Sequence, residues 1–334
     1  MNTAPFSFEL FPPRNATVAA RMPDIARRLG ALGPEFISVT FGASGSTQDR
    51  SLDVLKYIRE TTTVRAMAHL TCVGASVASV SAVVNEFIDA GIVDFLALRG
   101  DIPQGVTAAE CFDELSTAAE LTQLIRGIRR SRIPGELAPV APGANRWRLR
   151  EHRDGIIAVA AYPNGHPESR DLQQDLDALL AKQAAGANLA ITQLFFEADD
   201  YLRFIDQARS AGVTIPILPG IMPITSVARL RRIVELTGEP WPERFADALD
   251  SCNSDAARRE LGVAQASALS YDLLAGGAPG LHIYTHNRID EPVEILGRVG
   301  AISRAQAEAA LIEPNTASTS AQAFAEYRML LRSH

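Results

Sequence analysis

Short β-rich runs alternate with longer Ala/Leu/Ile-periodic segments along nearly the whole chain, and few architectures tolerate that order. The β-rich runs are Phe6–Phe11, Phe36–Phe41, Ala66–Cys72, Val93–Leu98, Ile156–Ala161, Leu189–Phe195, Ile215–Leu218 and Leu281–Thr285. Helical patterns lie between them, among them Ala16–Leu32, Ser51–Thr61, Ser76–Ala90, Ser169–Ala185 and Asp199–Ala211. Gly91, Gly186 and Gly212 each stand where a helix C-cap glycine belongs. Eight strands with intervening helices in 334 residues predict an α/β fold, a (β/α)8 TIM barrel rather than an open doubly wound sheet. Neither GxGxxG nor GxxxxGK[ST] occurs, so the dinucleotide-binding and P-loop alternatives lose their support. The barrel is expected to occupy residues 1–302. An Arg/Pro/Gly-rich insertion at Arg129–Arg153 reads as a loop or flap, and 303–334 as a C-terminal tail with a short helix near Ala321–Leu331.

Composition narrows the function classes. A hydrophobic fraction of 47% and a charged fraction of 21% are those of an ordinary globular chain. The formal charge of −7 leaves no global positive field for nucleic acid or an anionic membrane, so any anionic ligand needs a local basic site. Only two of the 32 basic residues are lysines, Lys56 and Lys182. Cys72, Cys111 and Cys252 are too far apart for a CxxC zinc site, and an odd, scattered set fits a reducing, cytoplasmic setting. The uncharged run Ala66–Asn85 carries His69, Thr71 and three serines, so it reads as a strand, turn and helix start, not a membrane span; the first residues lack a secretory pattern.

In a barrel, function sits at the C-terminal ends of the strands. Glu9 lies among aromatic and aliphatic neighbours, where a desolvated carboxyl can donate a proton near neutrality; pairing with an arginine inside the barrel is an equal alternative. Arg99-Gly100-Asp101 offers a guanidinium for a phosphate or carboxylate beside a glycine that admits a ligand, although a plain turn would look the same. Tyr162 to Glu168 is stiffened by two prolines and holds Tyr162 and His166, which suits a planar ligand. Gln193 presents a donor and an acceptor for an amide or pterin edge. His282, Tyr284 and His286 share one face if the strand continues, yet no third metal ligand is apparent and no metal is expected. Arg288 suits a carboxylate tail or a surface ion pair.

Taken together, Phe8-Glu9-Leu10-Phe11-Pro12-Pro13-Arg14, Ser38 to Gly42, His69-Leu70-Thr71-Cys72, Leu98-Arg99-Gly100-Asp101, Ala161-Tyr162-Pro163 with His166-Pro167-Glu168, Gly186-Ala187-Asn188 with Thr192-Gln193, Pro219-Gly220-Ile221, and Tyr284-Thr285 with Asn287-Arg288 resemble the methylenetetrahydrofolate reductase family. The resemblance implies an FAD-carrying barrel in which NADH or NADPH reduces the flavin. The flavin then reduces 5,10-methylenetetrahydrofolate to the 5-methyl form used in methionine synthesis. It implies Glu9 as general acid, Asp101 as a charge near flavin and pterin, and Gln193 as the pterin and nicotinamide contact. Glu9, Thr40, Gln193, Tyr284 and Arg288 would meet folate, while Thr40, His69, Arg99, Gly100, Asp101, Ala118, Tyr162, His166, Asp175 and Lys182 would meet FAD. From the residues alone, Asp175 and Lys182 read as a solvated pair two turns apart on one helix. Family members commonly associate, so a homo-oligomer is expected. Ala178, Ala181, Thr117 and His286 depart from the family pattern. Two alternatives follow: the same reaction by direct hydride transfer without tightly bound flavin, and a non-catalytic folate- or flavin-binding barrel.

Overall fold

A computed structural model describes residues 4–40, 45–102, 105–112, 114–132 and 155–312. Eight parallel strands close into one barrel in chain order: β1 (Phe6–Leu10), β2 (Phe36–Val39), β3 (Arg65–Thr71), β4 (Asp94–Leu98), β5 (Ile157–Ala161), β6 (Leu189–Leu194), β7 (Ile217–Ile221) and β8 (Leu281–Tyr284). β1 completes the ring by pairing with both β2 and β8, Glu9 lying level with Ser38 on one side and Tyr284 on the other. The expected (β/α)8 barrel is therefore present.

Seven strands fall within two residues of the sequence reading at both ends, and β7 is the exception, running on to Ile221. Pro219-Gly220 reads as a breaker because proline has no N–H to give a ladder. The β6–β7 ladder shifts register between Ile191 and Leu194, and Pro219 falls in that irregularity, where no donor is required.

Alternation along the strands sorts the core. Phe8, Leu10, Ile37, Val39, Phe95 and Val159 point outward into the layer beneath the helices. Phe36, Met67, Leu96, Ala158, Leu189, Ile191 and Leu218 point inward and fill the barrel. The entry side is closed by polar groups: Arg65 donates from Nε and Nη2 to the two carboxylate oxygens of buried Asp94 at 2.7 and 2.6 Å, and Ile156 N donates to Asp94 Oδ1 at 2.6 Å.

Helices α1 (Ala16–Ala31), α3 (Val77–Asp89), α6 (Leu172–Ala185), α8 (Val227–Thr237) and α10 (Asp255–Ala275) start where Asn15, Ser76, Asp171, Ser226 and Ser254 accept a backbone N–H of the first turn. Each such cap contributes about 1 kcal/mol. The ring also contains α2 (Gly45–Thr61), α4 (Ala108–Cys111), α5 (Ala118–Arg132), α7 (Ala198–Ala211), α9 (Glu243–Asp250) and α11 (Asp290–Arg298). Residues 129–132 form the last turn of α5, whose basic residues suit a helix C-terminus; residues 133–153 lie outside the described residues. A further helix, α12 (Arg304–Leu311), opens on a Ser303/Gln306 capping box and packs on α11. Arg28 Nε donates to Ala310 O at 2.8 Å, and the helix expected near 321–331 lies outside the described residues. Among the described residues no helix is long and apolar enough to cross a membrane.

Candidate active site

The apolar filling of the barrel stops short of its C-terminal end, where inward positions turn polar: Ser7 and Glu9 on β1, Ser38 on β2, His69 on β3 and His282 on β8, all buried. Glu9 Oε2 lies 3.7 Å from His69 Nε2 and 3.7 Å from His282 Nε2. Among the described residues no arginine or lysine pairs with Glu9, so the internal arginine partner admitted from sequence is replaced by two imidazoles. Both Nε2 atoms are buried without a hydrogen-bond partner among the described residues. Ser7 Oγ donates to Leu281 O at 3.3 Å and sits 2.8 Å from His282 Nδ1, which fixes that ring. Burial pushes His69 down to about 4, with Glu9 pulling the other way, so His69 is neutral at physiological pH.

Tyr284, level with Glu9, is held by the bond from its hydroxyl to Thr192 O at 2.8 Å, and burial raises its phenol well above the usual range. This packing is tight because residue 220 is glycine: a Cβ there would stand 2.5 Å from Thr192 O and 2.6 Å from the Tyr284 ring. Gln193 shares the inward parity of Leu189 and Ile191 and is half-buried, its Oε1 accepting from Leu194 N at 2.9 Å. Thr40 ends the β2 segment, with its N–H on Leu10 O and its carbonyl accepting from Ser51 Oγ at 2.9 Å.

A second group gathers at β4, β5 and α6. Asp175 is buried, accepting from His166 N at 3.0 Å and Ser169 Oγ at 2.7 Å, so it pins the loop after β5. Arg99 ion-pairs with Glu168 of that loop and lies over the Phe112 ring. Tyr162 meets His166 edge-on with centroids 4.8 Å apart, and burial raises its phenol to about 12, with the exposed Asp101 carboxylate adding to the rise. Lys182 Nζ donates to Ala160 O at 2.9 Å beside the Tyr162 ring, and desolvation brings its ammonium down to about 8 despite Asp175 nearby. The solvated pair read from sequence is thus a partly buried cation behind a loop-pinning carboxylate. Gly100 takes φ +84°, and Ala118 is buried at the start of α5.

The third group is the loop after β8. The strand ends at Tyr284, and His286 and Asn287 take φ of 50° and 60°, so His286 does not continue the face of His282 and Tyr284. It stacks on Phe11 with centroids 5.3 Å apart, and burial lowers it to about 4, with Arg229 adding to the fall. Asn287 clamps the β1 exit, accepting from Phe11 N at 2.8 Å and donating to Phe11 O at 2.9 Å. Arg288 pairs with Glu291 at 2.7 Å and remains half-exposed. Ser7 was invisible as a site residue from sequence, although its place two residues before Glu9 puts both on one strand face.

A family model described as methylenetetrahydrofolate reductase matches residues 1–300. The chain belongs to the methylenetetrahydrofolate reductase family. The 5,10-methylenetetrahydrofolate reductase of Escherichia coli (strain K12) is 34% identical over 295 residues, covering 88% of this chain and 90% of that one. Methylenetetrahydrofolate reductase (NADH) 1 of Zea mays is 31% identical over 313 residues, covering 90% of this chain and 49% of its own longer chain. Among solved structures, an uncharacterised protein from Clostridium thermocellum described as binding two copies of 5-methyl-5,6,7,8-tetrahydrofolic acid superposes with a TM-score of 0.58 at 13% identity. It covers 89% of this chain and 94% of that one, a likeness of fold. In this methylenetetrahydrofolate reductase family member, Glu9 and the Arg99, Tyr162 and Lys182 group both stand at the strand exits where barrel chemistry is done.

Proposed function

We propose that this chain reduces 5,10-methylenetetrahydrofolate to 5-methyltetrahydrofolate with electrons from NADH or NADPH passed through FAD, feeding methyl groups to methionine synthesis. The observation that carries the reading is Glu9, a buried carboxyl at the barrel mouth with two imidazoles beside it and, among the described residues, no arginine or lysine paired with it. Such a carboxyl can hold a proton and release it to a basic nitrogen. The reaction consumes one proton per turnover, together with the hydride of the nucleotide, and in this reading Glu9 delivers it to folate N10. Opening the five-membered ring then leaves an electrophilic iminium. Asp101 supplies negative charge near that cation, Gln193 offers both hydrogen-bonding halves of an amide to the pterin, Tyr284 and Thr40 line the approach, and Arg288 meets the glutamate carboxylates.

The residues on the β4–β5 side fit a planar, anionic cofactor. Tyr162 and His166 are stiffly held, and the Lys182 ammonium is partly buried with no carboxylate ion pair among the described residues. Arg99, Gly100, Asp101, Ala118 and Asp175 complete that side. FAD bound there would supply two-electron hydride transfer between nucleotide and folate. A second reading, direct transfer without tightly bound flavin, is favoured by exposed Ala178 and Ala181 on α6, which bring no polar group to a cofactor.

The absorbance of the purified protein and its two half-reactions test this function. A flavin spectrum bleached by NADH and restored by methylenetetrahydrofolate is the expected result. Glu9→Gln should keep the bleaching and lower folate reduction at least ~1,000-fold, within the range general acids provide. A colourless protein that oxidises NADH only when folate is present would select the second reading, and equal loss of both half-reactions in Glu9→Gln would remove the acid role.

A further inference from the structure

The loop after β5 is gripped from two sides, and Asp175 of α6 accounts for only one. On the other side stands Glu239, beyond the end of α8 and more than seventy positions from the loop, yet only 5% exposed. Asn164 Nδ2 donates to Glu239 Oε2 at 2.7 Å and to Asp200 Oδ2 at 3.1 Å. Asp200 lies in the first turn of α7, so one side-chain amide ties the loop to the units that follow β6 and β7.

The residue before Glu239 makes a second contact. Gly238 has φ +72°, and a Cβ there would lie 2.8 Å from Pro167 Cγ and 3.4 Å from Pro167 Cβ. A rigid proline ring cannot turn aside, so glycine is what lets this connector rest on the loop. Pro167 and Asn164 are therefore held at two points three residues apart, one apolar and one polar. A buried carboxyl costs free energy that an apolar side chain would not, and the hydrogen bond to the loop is what Glu239 gives in return.

We propose that Glu239, seated by Gly238, is a positioning residue that holds the Tyr162–Glu168 loop in the shape that receives the cofactor. The cofactor part of this statement rests on the function proposed above; the grip on the loop does not. The grip is pH-dependent. The groups facing Glu239 are Asn164 of the loop, Asp200 of α7 and, through its ion pair with Asp200, Arg203. Burial raises the Glu239 carboxyl to about 7, the Asn164 bond opposes the rise, and the Asp200 charge adds to it. When the loop lets go and the carboxyl is hydrated, it returns towards its ordinary value of 4.5. The held loop thus favours the protonated acid: the grip is full below about 4.5, weakens as pH rises to about 7, and stays at the weaker level above that.

Amide hydrogen exchange of the segment from Tyr162 to Arg170, corrected for the intrinsic rate at each pH, tests this in the full chain without added cofactor. In the native protein the exchange is expected to speed up about fortyfold between pH 5 and 7, because most of the linkage between 4.5 and about 7 falls in that interval. Glu239→Gln, which keeps an acceptor for Asn164 and cannot ionise, should stay slow and flat with pH. Glu239→Ala should exchange fast at every pH, and Asn164→Ala, at an exposed position, provides the same comparison should that variant fold poorly. Native-like exchange in both alanine variants would overturn the proposal, as would a pH step that survives in Glu239→Gln. FAD titration followed by flavin fluorescence is a separate arm, with about tenfold weaker binding expected in Glu239→Ala. If the native protein takes up no FAD, the cofactor reading falls while loop exchange still decides the role of Glu239.

Discussion

At Lys182 the chain keeps a partly buried cation whose nearest hydrogen-bond acceptor is a backbone carbonyl, and desolvation already lowers its hold on the proton to about 8. An anion brought beside it would restore the ammonium, so the side chain gains most when a phosphate arrives. Lys182→Met keeps the stem and removes the charge; flavin retention after gel filtration should fall by about ten- to a hundredfold in affinity, the worth of a charge-assisted hydrogen bond. Unchanged retention would take Lys182 out of the proposed cofactor site. The sequence makes the residue conspicuous, one of two lysines, but its burial depends on Tyr162 and Ala160 of a neighbouring strand. Glu9 is the opposite case. Its apolar strand neighbours announce a buried carboxyl, whereas the groups beside it, His69 and His282, come from positions 60 and 273 residues away, a separation that no local pattern bridges.

Among the elements, β4 shows how a strand start secures the barrel. Asp94 takes two hydrogen bonds from Arg65 of β3 and one from Ile156 N at the head of β5, so one carboxylate ties three neighbouring strands. Asp94→Ala removes the acceptor that Arg65 and the Ile156 N–H share and should cost about 3 kcal/mol in denaturant unfolding, as breaking a buried ion pair does. A loss within 0.5 kcal/mol, the usual size of a surface change, would show that water replaces the carboxylate freely. Strand and helix types were legible because strands buried on both faces read as short β-rich runs, whereas each helix buries one face and shows its longer period. β7 was misplaced because Pro219 is a breaker by itself and harmless at a ladder irregularity that the partner strand creates.

For the molecule as a whole, buried neutral histidines set the acid side of stability. His69 and His286 both lie near 4 in the folded chain against 6.5 when free. Between those values the unfolded chain binds more protons at these two sites, which outweighs the opposite contribution of the single raised carboxyl of Glu239, so stability falls as pH drops from about 6.5 towards 4. Melting temperature should decline over that interval and decline less in His286→Leu; an identical decline in the variant would show that His286 is hydrated in solution. The order of elements, the closure of eight strands and the strand ends bearing Glu9, Arg99, Tyr162 and Gln193 followed from local periodicity and residue type, which are properties of the chain read in order. Which charges meet did not. Glu9 between two imidazoles and Glu239 reaching Asn164 are contacts between distant segments that only the packed barrel brings within a few ångströms, and Asp175 turns to its own loop, not to solvent, because the helix start folds back on that loop.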